Sequence, residues 1–128
     1  MKRCWMIRQE IYDDFMVKVD SNYFLEISFP HKITVTKLLA KTVLIKIKEL
    51  SKPNYNLLFD LRAISEISPA AKSIIASVST YCPPRKIAVI VGSASSRNAG
   101  TYFIKSEVIK APLRLYGSKE DSIDWLIE

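Results

Sequence analysis

The chain has 128 residues, 48% of them hydrophobic, and a formal net charge of +6. This length and apolar content suit one domain over residues 1–128 with a sizeable core. Charged residues interrupt every apolar run well before the roughly 18 residues of a transmembrane helix, and the N-terminus lacks the long apolar region of a signal peptide. We therefore expect a single cytoplasmic domain without a transmembrane segment.

Few residues are suited to covalent or metal chemistry. Cys4 and Cys82 have neither the spacing of a metal site nor that of a redox pair, and a reducing compartment disfavours a disulfide between them. His31 is the only histidine, and no serine or cysteine lies in a nucleophile elbow that would pair with it. We expect no metal, no cofactor and no catalytic residue.

The first half of the chain predicts three strands and a helix. The strands, at residues 5–11, 15–19 and 23–29, are rich in β-branched and aromatic residues, with turns at Asp13-Asp14 and Asp20-Ser21-Asn22. From residue 36 the period becomes helical, and the apolar stripe consists of Leu39, Val43, Ile47 and Leu50. Thr34 or Thr36 is the candidate N-cap, and Pro53 prevents continuation of the helix.

Three strand-helix units follow. A strand at 55–61 precedes a helix at 69–81, with Ser68 as its N-cap and Pro69 in its first turn. A strand at 86–91 precedes a helix at 95–106, and a strand at 113–116 precedes a terminal helix capped by Ser118. This order predicts an α/β fold, with a mixed sheet that is largely parallel and has an antiparallel N-terminal edge.

The order of elements and a series of motifs resemble the STAS domain, named for sulfate transporters and anti-sigma factor antagonists. The similarity is greatest to uncharacterised bacterial STAS-like proteins and covers roughly the last 75 residues, with topology alone supporting the first 50. The motifs are Leu57-Leu58-Phe59-Asp60-Leu61-Arg62, Ile67-Ser68-Pro69-Ala70-Ala71-Lys72, Lys86-Ile87-Ala88-Val89-Ile90-Val91, Ser96-Arg97, Gly100, Phe103, Pro112, Arg114-Leu115-Tyr116 and Trp125-Leu126.

The resemblance also implies a departure at the regulatory position. Regulatory members carry Ile-Asp-Ser-Ser-Gly, in which a serine at the helix start is phosphorylated by a partner kinase. The matching position here is Ala70, which cannot accept a phosphate, and Ser68 replaces the family's aspartate. The usual phosphorylatable serine is therefore missing, and we interpret Ser68 as a helix cap.

The residues following the strand at 86–91 are the best candidates for binding an anion. Ser95, Ser96, Arg97 and Asn98 combine hydroxyl groups, a cation and a predicted helix N-terminus, whose free N–H groups attract negative charge. The commoner use of such serines is capping, by Ser93 or Ser95. No glycine-rich phosphate loop is present.

Two interpretations of Asp60 remain open. It can pair with Glu66, as general acid and base catalysis by two carboxylates requires, or form a local ion pair with Arg62, which is the commoner arrangement.

Four lysines lie near one face of the first predicted helix: Lys37, Lys41, Lys48 and Lys52. No aromatic residue lies between them, so specific nucleic-acid binding is not indicated.

The leading hypothesis is a non-catalytic STAS-like module, monomer or homodimer, which binds a protein partner or a small anionic ligand. The candidate binding residues are Asp60, Arg62, Ser68, Ser95, Ser96, Arg97 and Asn98. The alternative is a carrier of a lipid-like apolar ligand, as in the topologically similar CRAL-TRIO domains, which requires an apolar cavity of roughly 300 Å³ or more. A small enzyme using carboxylates near Asp60 is the third hypothesis.

Overall fold

The computed structural model describes residues 6–20 and 24–128. The strands are β1 (Met6–Ile11), β2 (Met16–Asp20), β3 (Phe24–Ser28), β4 (Ile33–Val35), β5 (Asn56–Asp60), β6 (Ile64–Ile67), β7 (Lys86–Ile90) and β8 (Leu113–Tyr116). The helices are α1 (Lys37–Leu50), α2 (Pro69–Ala76), α3 (Val78–Tyr81), α4 (Ala94–Lys105) and α5 (Lys119–Leu126). Cys4, the predicted strand residues Trp5 and Tyr23, and the turn residues Ser21 and Asn22 lie outside the described residues.

Six strands form one mixed sheet in the order β1-β2-β3-β5-β7-β8. Strands β1, β2 and β3 pair antiparallel, whereas β3, β5, β7 and β8 are parallel. The predicted fold class is confirmed. In the parallel part, Ile27 is aligned with Phe59, and Phe59 with Val89, so the apolar centres of the strands lie side by side.

Helices cover both faces of the parallel strands. One face carries alternate strand residues such as Leu57 and Phe59, which share the larger core with side chains of α1, α2 and α4. On the other face, Leu58 and Ala88 pack with Trp125 of α5. Burial on both sides explains why β5 and β7 read as continuous apolar runs.

A second, two-stranded sheet was not predicted. Strand β4 pairs in parallel with β6, and the N–H of Ser68, directly after β6, donates to the carbonyl of Val35 at 3.1 Å. Runs of three and four residues are too short to show a period, and their pairing joins distant parts of the chain. This sheet positions the start of α2.

The helix predicted at 69–81 is interrupted at Ser77. The N–H of Ser77 is shared between the carbonyls of Ser73, Ile74 and Ile75, and its hydroxyl donates to the Ile74 carbonyl. Such back-bonding by serine bends helices. The predicted apolar face is otherwise present, because Ala71, Ile75 and Val78 are buried in the core; Ile74 is only partly buried.

Candidate functional site

The candidate residues at the end of β5 form a tight ion pair. The Arg62 guanidinium donates through Nε to Asp60 Oδ1 at 3.0 Å and through Nη2 to Oδ2 at 2.8 Å, and the Arg62 N–H also donates to Oδ1 at 3.1 Å. These hydrogen bonds raise the pKa of Arg62 above its ordinary value. The Asp60 side chain is mostly shielded, whereas that of Arg62 is 45% exposed, so the pair presents a cation to solvent.

Arg62 connects this strand end to the loop that leads into α4. A Cβ on Gly92 would lie 3.3 Å from Cγ of Arg62, so the aliphatic part of the arginine packs on the Gly92 backbone. The N–H of Leu61 also donates to the Ile90 carbonyl at 3.0 Å. The structure therefore brings Asp60 and Arg62 together with the segment that precedes Ser95.

The serines at the start of α4 have different environments. Ser93 is the N-cap and accepts from the N–H of Ser96 at 3.1 Å. The buried Ser96 hydroxyl accepts from the N–H groups of Gly92 and Ser93, both at 2.8 Å, and donates to the Ser93 carbonyl at 2.9 Å. Its hydrogen-bonding capacity is fully used inside the protein, so Ser96 shapes the loop. The hydroxyl of Ser95 takes no part in this network.

Arg97 and Asn98 form the outward part of the candidate segment. Both side chains are exposed, and Ser95 is half-buried beside them. Within residues 6–20 and 24–128, no hydrogen bond or ion pair occupies the Arg97 guanidinium. The first turn of α4 therefore offers a cation and an amide for contact with another molecule.

Ser68 caps α2, as predicted. Its Oγ accepts from the N–H of Ala71 at 3.1 Å, and the side chain is half-buried. Ala70, the residue in the position of the STAS phosphoserine, is exposed in the first turn of this helix. No hydrogen bond between described residues joins Ser68 to the 95–98 segment.

Sequence reasoning did not identify Glu26, a carboxylate only 4% exposed in the middle of β3. Its Oε2 lies 2.9 Å from Nζ of Lys119 in the first turn of α5, and its charge also contributes to the raised pKa of Arg62. The alternation of Phe24, Glu26 and Ser28 was the available signal, because it placed a carboxylate on the face that α5 covers. Glu66, the predicted partner in a catalytic pair, is exposed on β6, and the Asp60 carboxylate bonds to Arg62 instead.

The sequence model of one family, described as Domain of unknown function (DUF7793), matches residues 21–128. The chain belongs to the DUF7793 family. No curated protein matches the DUF7793 chain. Among the residues that the structure describes, no helix has the length and apolar character needed to cross a membrane.

Solved structures give this DUF7793 domain a STAS-like fold. An uncharacterised protein of the DUF3478 family with a SpoIIAA-like fold, from Shewanella loihica, has a TM-score of 0.58 and 13% identity over 98% of this chain and 97% of the other. An anti-sigma factor antagonist from Mycobacterium paratuberculosis has a TM-score of 0.64 and 13% identity over 94% and 92%. Unphosphorylated SpoIIAA, also an anti-sigma factor antagonist, has a TM-score of 0.60 and 9% identity over 87% and 96%. The resemblance found in the sequence is confirmed at the level of the fold.

Proposed function

We propose that residues 1–128 of this DUF7793 protein form one non-catalytic cytoplasmic regulatory domain that binds a protein partner. The partner contacts what we term the carboxyl-end surface, which consists of Arg62, Ala70, Ser95, Arg97 and Asn98. Asp60 supports this surface through its ion pair with Arg62, Ser68 through the α2 cap, and Ser96 through its hydrogen bonds with Ser93, the N-cap of α4. The fold shared with two anti-sigma factor antagonists supports a role in protein binding.

The observation that carries the proposal is Arg97, which is exposed and has no ion pair among the described residues, on the helix whose preceding loop packs on Arg62 at Gly92. Both arginines lie at the end of the sheet where parallel strands deliver helix starts, which is where open α/β sheets commonly bind other molecules. Two accessible guanidinium groups in a protein of net charge +6 favour an acidic partner surface, since opposite charge increases the rate of association and fixes orientation.

Binding in this domain is proposed to be independent of phosphorylation at the α2 start. Ala70 has no hydroxyl, and the nearest serine, Ser68, uses its oxygen to cap the helix. A negative charge at position 70 would lie on the surface that the acidic partner approaches. It would therefore repel the partner while stabilising the helix N-terminus.

Two matched pairs of variants test this function. Arg97→Glu is compared with Lys105→Glu, an exposed charge reversal at the other end of α4, and Ala70→Asp with the uncharged Ala70→Asn. Each tagged protein is used to recover partners from its native cells, and the bound proteins are quantified by mass spectrometry. A true partner is lost with Arg97→Glu and Ala70→Asp and retained with both controls, while the thermal midpoints of Arg97→Glu and Ala70→Asp are unchanged or higher because their acidic groups lie at helix N-termini.

Two outcomes would contradict the proposal. Equal recovery of every bound protein by the parent and by Arg97→Glu would exclude the carboxyl-end surface as the contact. Saturable amide shifts near residues 93–98 on titration with inorganic phosphate, without a partner that depends on Arg97, would instead identify a small anionic ligand as the molecule recognised. Light scattering of the free protein distinguishes a monomer from a homodimer.

A further inference from the structure

A cavity of about 330 Å³ lies at the opposite end of the sheet, where strands β3 and β5 begin. Its walls are mostly apolar and include Val19, Phe24, Leu25, Leu50, Tyr55 and Ile127, and the charged residues Asp20 and Arg85 also line it. Exposed residues of the loop after α1, including Lys52 and Asn54, form the rim. Its volume is at the lower end of the range for small-molecule sites.

Asn56, the first residue of β5, lines this cavity and is only 3% exposed. Its Nδ2 donates to the Leu126 carbonyl at 2.8 Å. Its Oδ1 is the one buried side-chain polar atom among the described residues without a hydrogen-bond partner. A buried acceptor without a donor is unfavourable, so a donor from a bound molecule or an ordered water would stabilise the folded protein at this position.

Rotation of the Asn56 side-chain amide would not provide Oδ1 with a hydrogen-bond donor. The Leu126 carbonyl also accepts from Nη2 of Arg85 at 3.0 Å, and Nζ of Lys86 donates to the Trp125 carbonyl at 2.8 Å. These bonds hold the end of α5 against the strand starts. Turning the amide over would place Oδ1 against the Leu126 carbonyl, where two acceptors repel, so the amide keeps the orientation in which Oδ1 has no donor among the described residues.

We propose that this cavity binds a compact, mainly apolar molecule whose hydroxyl or amide N–H donates to Asn56 Oδ1. The apolar walls remove the body of the ligand from water, and the buried Asn56 acceptor fixes its orientation. This site is separate from the carboxyl-end surface. The cavity is as large as the lipid-carrier hypothesis requires. The ligand that we propose is nevertheless a small molecule with a hydrogen-bond donor.

Two isomeric probes of the same composition test the donor requirement. 1-Hexanol carries a hydroxyl donor, whereas 1-methoxypentane carries only an ether acceptor. Each is titrated into the ¹⁵N-labelled protein while amide shifts are recorded. We expect saturable shifts at residues 50–52, 54–56, 85 and 127 with 1-hexanol, and about tenfold weaker binding of the ether because Oδ1 is then left unpaired. Equal affinities, or no saturable shift with 1-hexanol, would overturn the proposal.

A second pair of variants tests the location. Ile127 lines the cavity and is 47% exposed, so Ile127→Trp fills the space from a position that tolerates a larger side chain. Ile104 on α4 is 54% exposed and away from the cavity, which makes Ile104→Trp the matched control. Ile127→Trp should abolish 1-hexanol binding, while Ile104→Trp and Arg97→Glu should not change it. Unaltered binding to Ile127→Trp would overturn the site, whatever the result of the partner experiment.

Discussion

Asp60 accepts three hydrogen bonds from Arg62, two of them from the guanidinium and one from the backbone N–H. The carboxylate at the end of β5 therefore fixes the Arg62 side chain and the backbone that follows the strand. This arrangement favours an architectural role over acid or base chemistry. It also fixes the position of Arg62 on the proposed partner surface.

We expect the Asp60–Arg62 pair to contribute little to stability. Because the Arg62 side chain is 45% exposed, the coupling in a double-mutant cycle of Asp60→Ala and Arg62→Ala should be about 0.2–1 kcal/mol, as for other exposed pairs. The free energy of unfolding is measured by urea denaturation. Arg62→Lys should recover only part of the coupling, since lysine cannot make the bidentate contact. A coupling above roughly 2 kcal/mol would indicate a pair shielded from solvent.

Ser96 and Ser95 should differ sharply in their effect on stability. Ser96→Ala removes a buried hydroxyl that accepts from two backbone N–H groups, and we expect a loss of about 1–3 kcal/mol in the free energy of unfolding. Ser95→Ala removes a hydroxyl outside this network, and the change should stay within about 0.5 kcal/mol. Similar effects of the two substitutions in urea denaturation would show that the loop is held by other contacts.

The Ser68 cap gives a prediction with an internal rescue. Ser68→Ala should lower the free energy of unfolding by about 1 kcal/mol, because the Ala71 N–H loses its acceptor. Ser68→Asp should restore most of this loss, since aspartate also caps and its charge suits a helix N-terminus. Thermal unfolding of both variants is compared with partner recovery. If the aspartate variant folded well but lost a partner that the alanine variant kept, Ser68 would be a phosphorylation switch.

Gly100 in α4 lies under side chains of the sheet. A Cβ built there would be 2.8 Å from Cδ2 of Leu115 and 3.3 Å from Cγ1 of Val91. Gly100→Leu should therefore destabilise the protein by about 1–3 kcal/mol through overpacking, despite its better helix propensity. Thr101→Leu, at the exposed neighbouring position, is the control and should change the unfolding free energy by less than about 0.5 kcal/mol. A stabilised Gly100→Leu variant would show that α4 moves easily away from the sheet.

Tyr55 should make the protein sensitive to alkaline pH. Burial raises the pKa of the Tyr55 phenol, which donates to the Cys82 carbonyl at 2.6 Å. The folded state thus keeps a proton that the unfolded chain releases, so the contribution to stability is complete below the unfolded pKa near 10 and is lost as the pH rises toward the folded pKa. The loss for one proton is at most about 1.4 kcal/mol per pH unit.

Tyr55→Phe removes the titrating group. It should lower the unfolding free energy at pH 7 by about 1 kcal/mol, through the lost hydrogen bond, and reduce the decline between about pH 9.5 and 11. Urea denaturation at several pH values measures both effects. Burial also raises the pKa of the Cys82 thiol, so Cys82→Ala is needed to separate a second alkaline contribution. An unchanged decline in Tyr55→Phe would assign the sensitivity to other groups.

The sequence by itself determined the parts of the fold that have a clear period or a cap. Three kinds of local signal were sufficient: the apolar stripe of α1, the caps Ser68 and Ser118, and the apolar runs of β5 and β7. The stripe and the runs are visible in the sequence because a helix buries one face and a strand covered on both sides buries two. The motifs around Asp60 and Pro69 also identified the fold. Strands β4 and β6 and the break at Ser77 were missed, because very short pairings and one shared hydrogen-bond donor leave no periodic pattern.

Only the tertiary structure decided which polar residues are free to bind. Ser95 and Ser96 are adjacent residues of the same type, but only the Ser96 hydroxyl lies where the Gly92 and Ser93 N–H groups converge, and the fold buries it completely. Asn56 and Leu126 are far apart in sequence, and their contact leaves a buried oxygen unpaired beside a cavity. Burial and pairing of polar atoms depend on distant segments meeting, and propensities of neighbouring residues do not encode this.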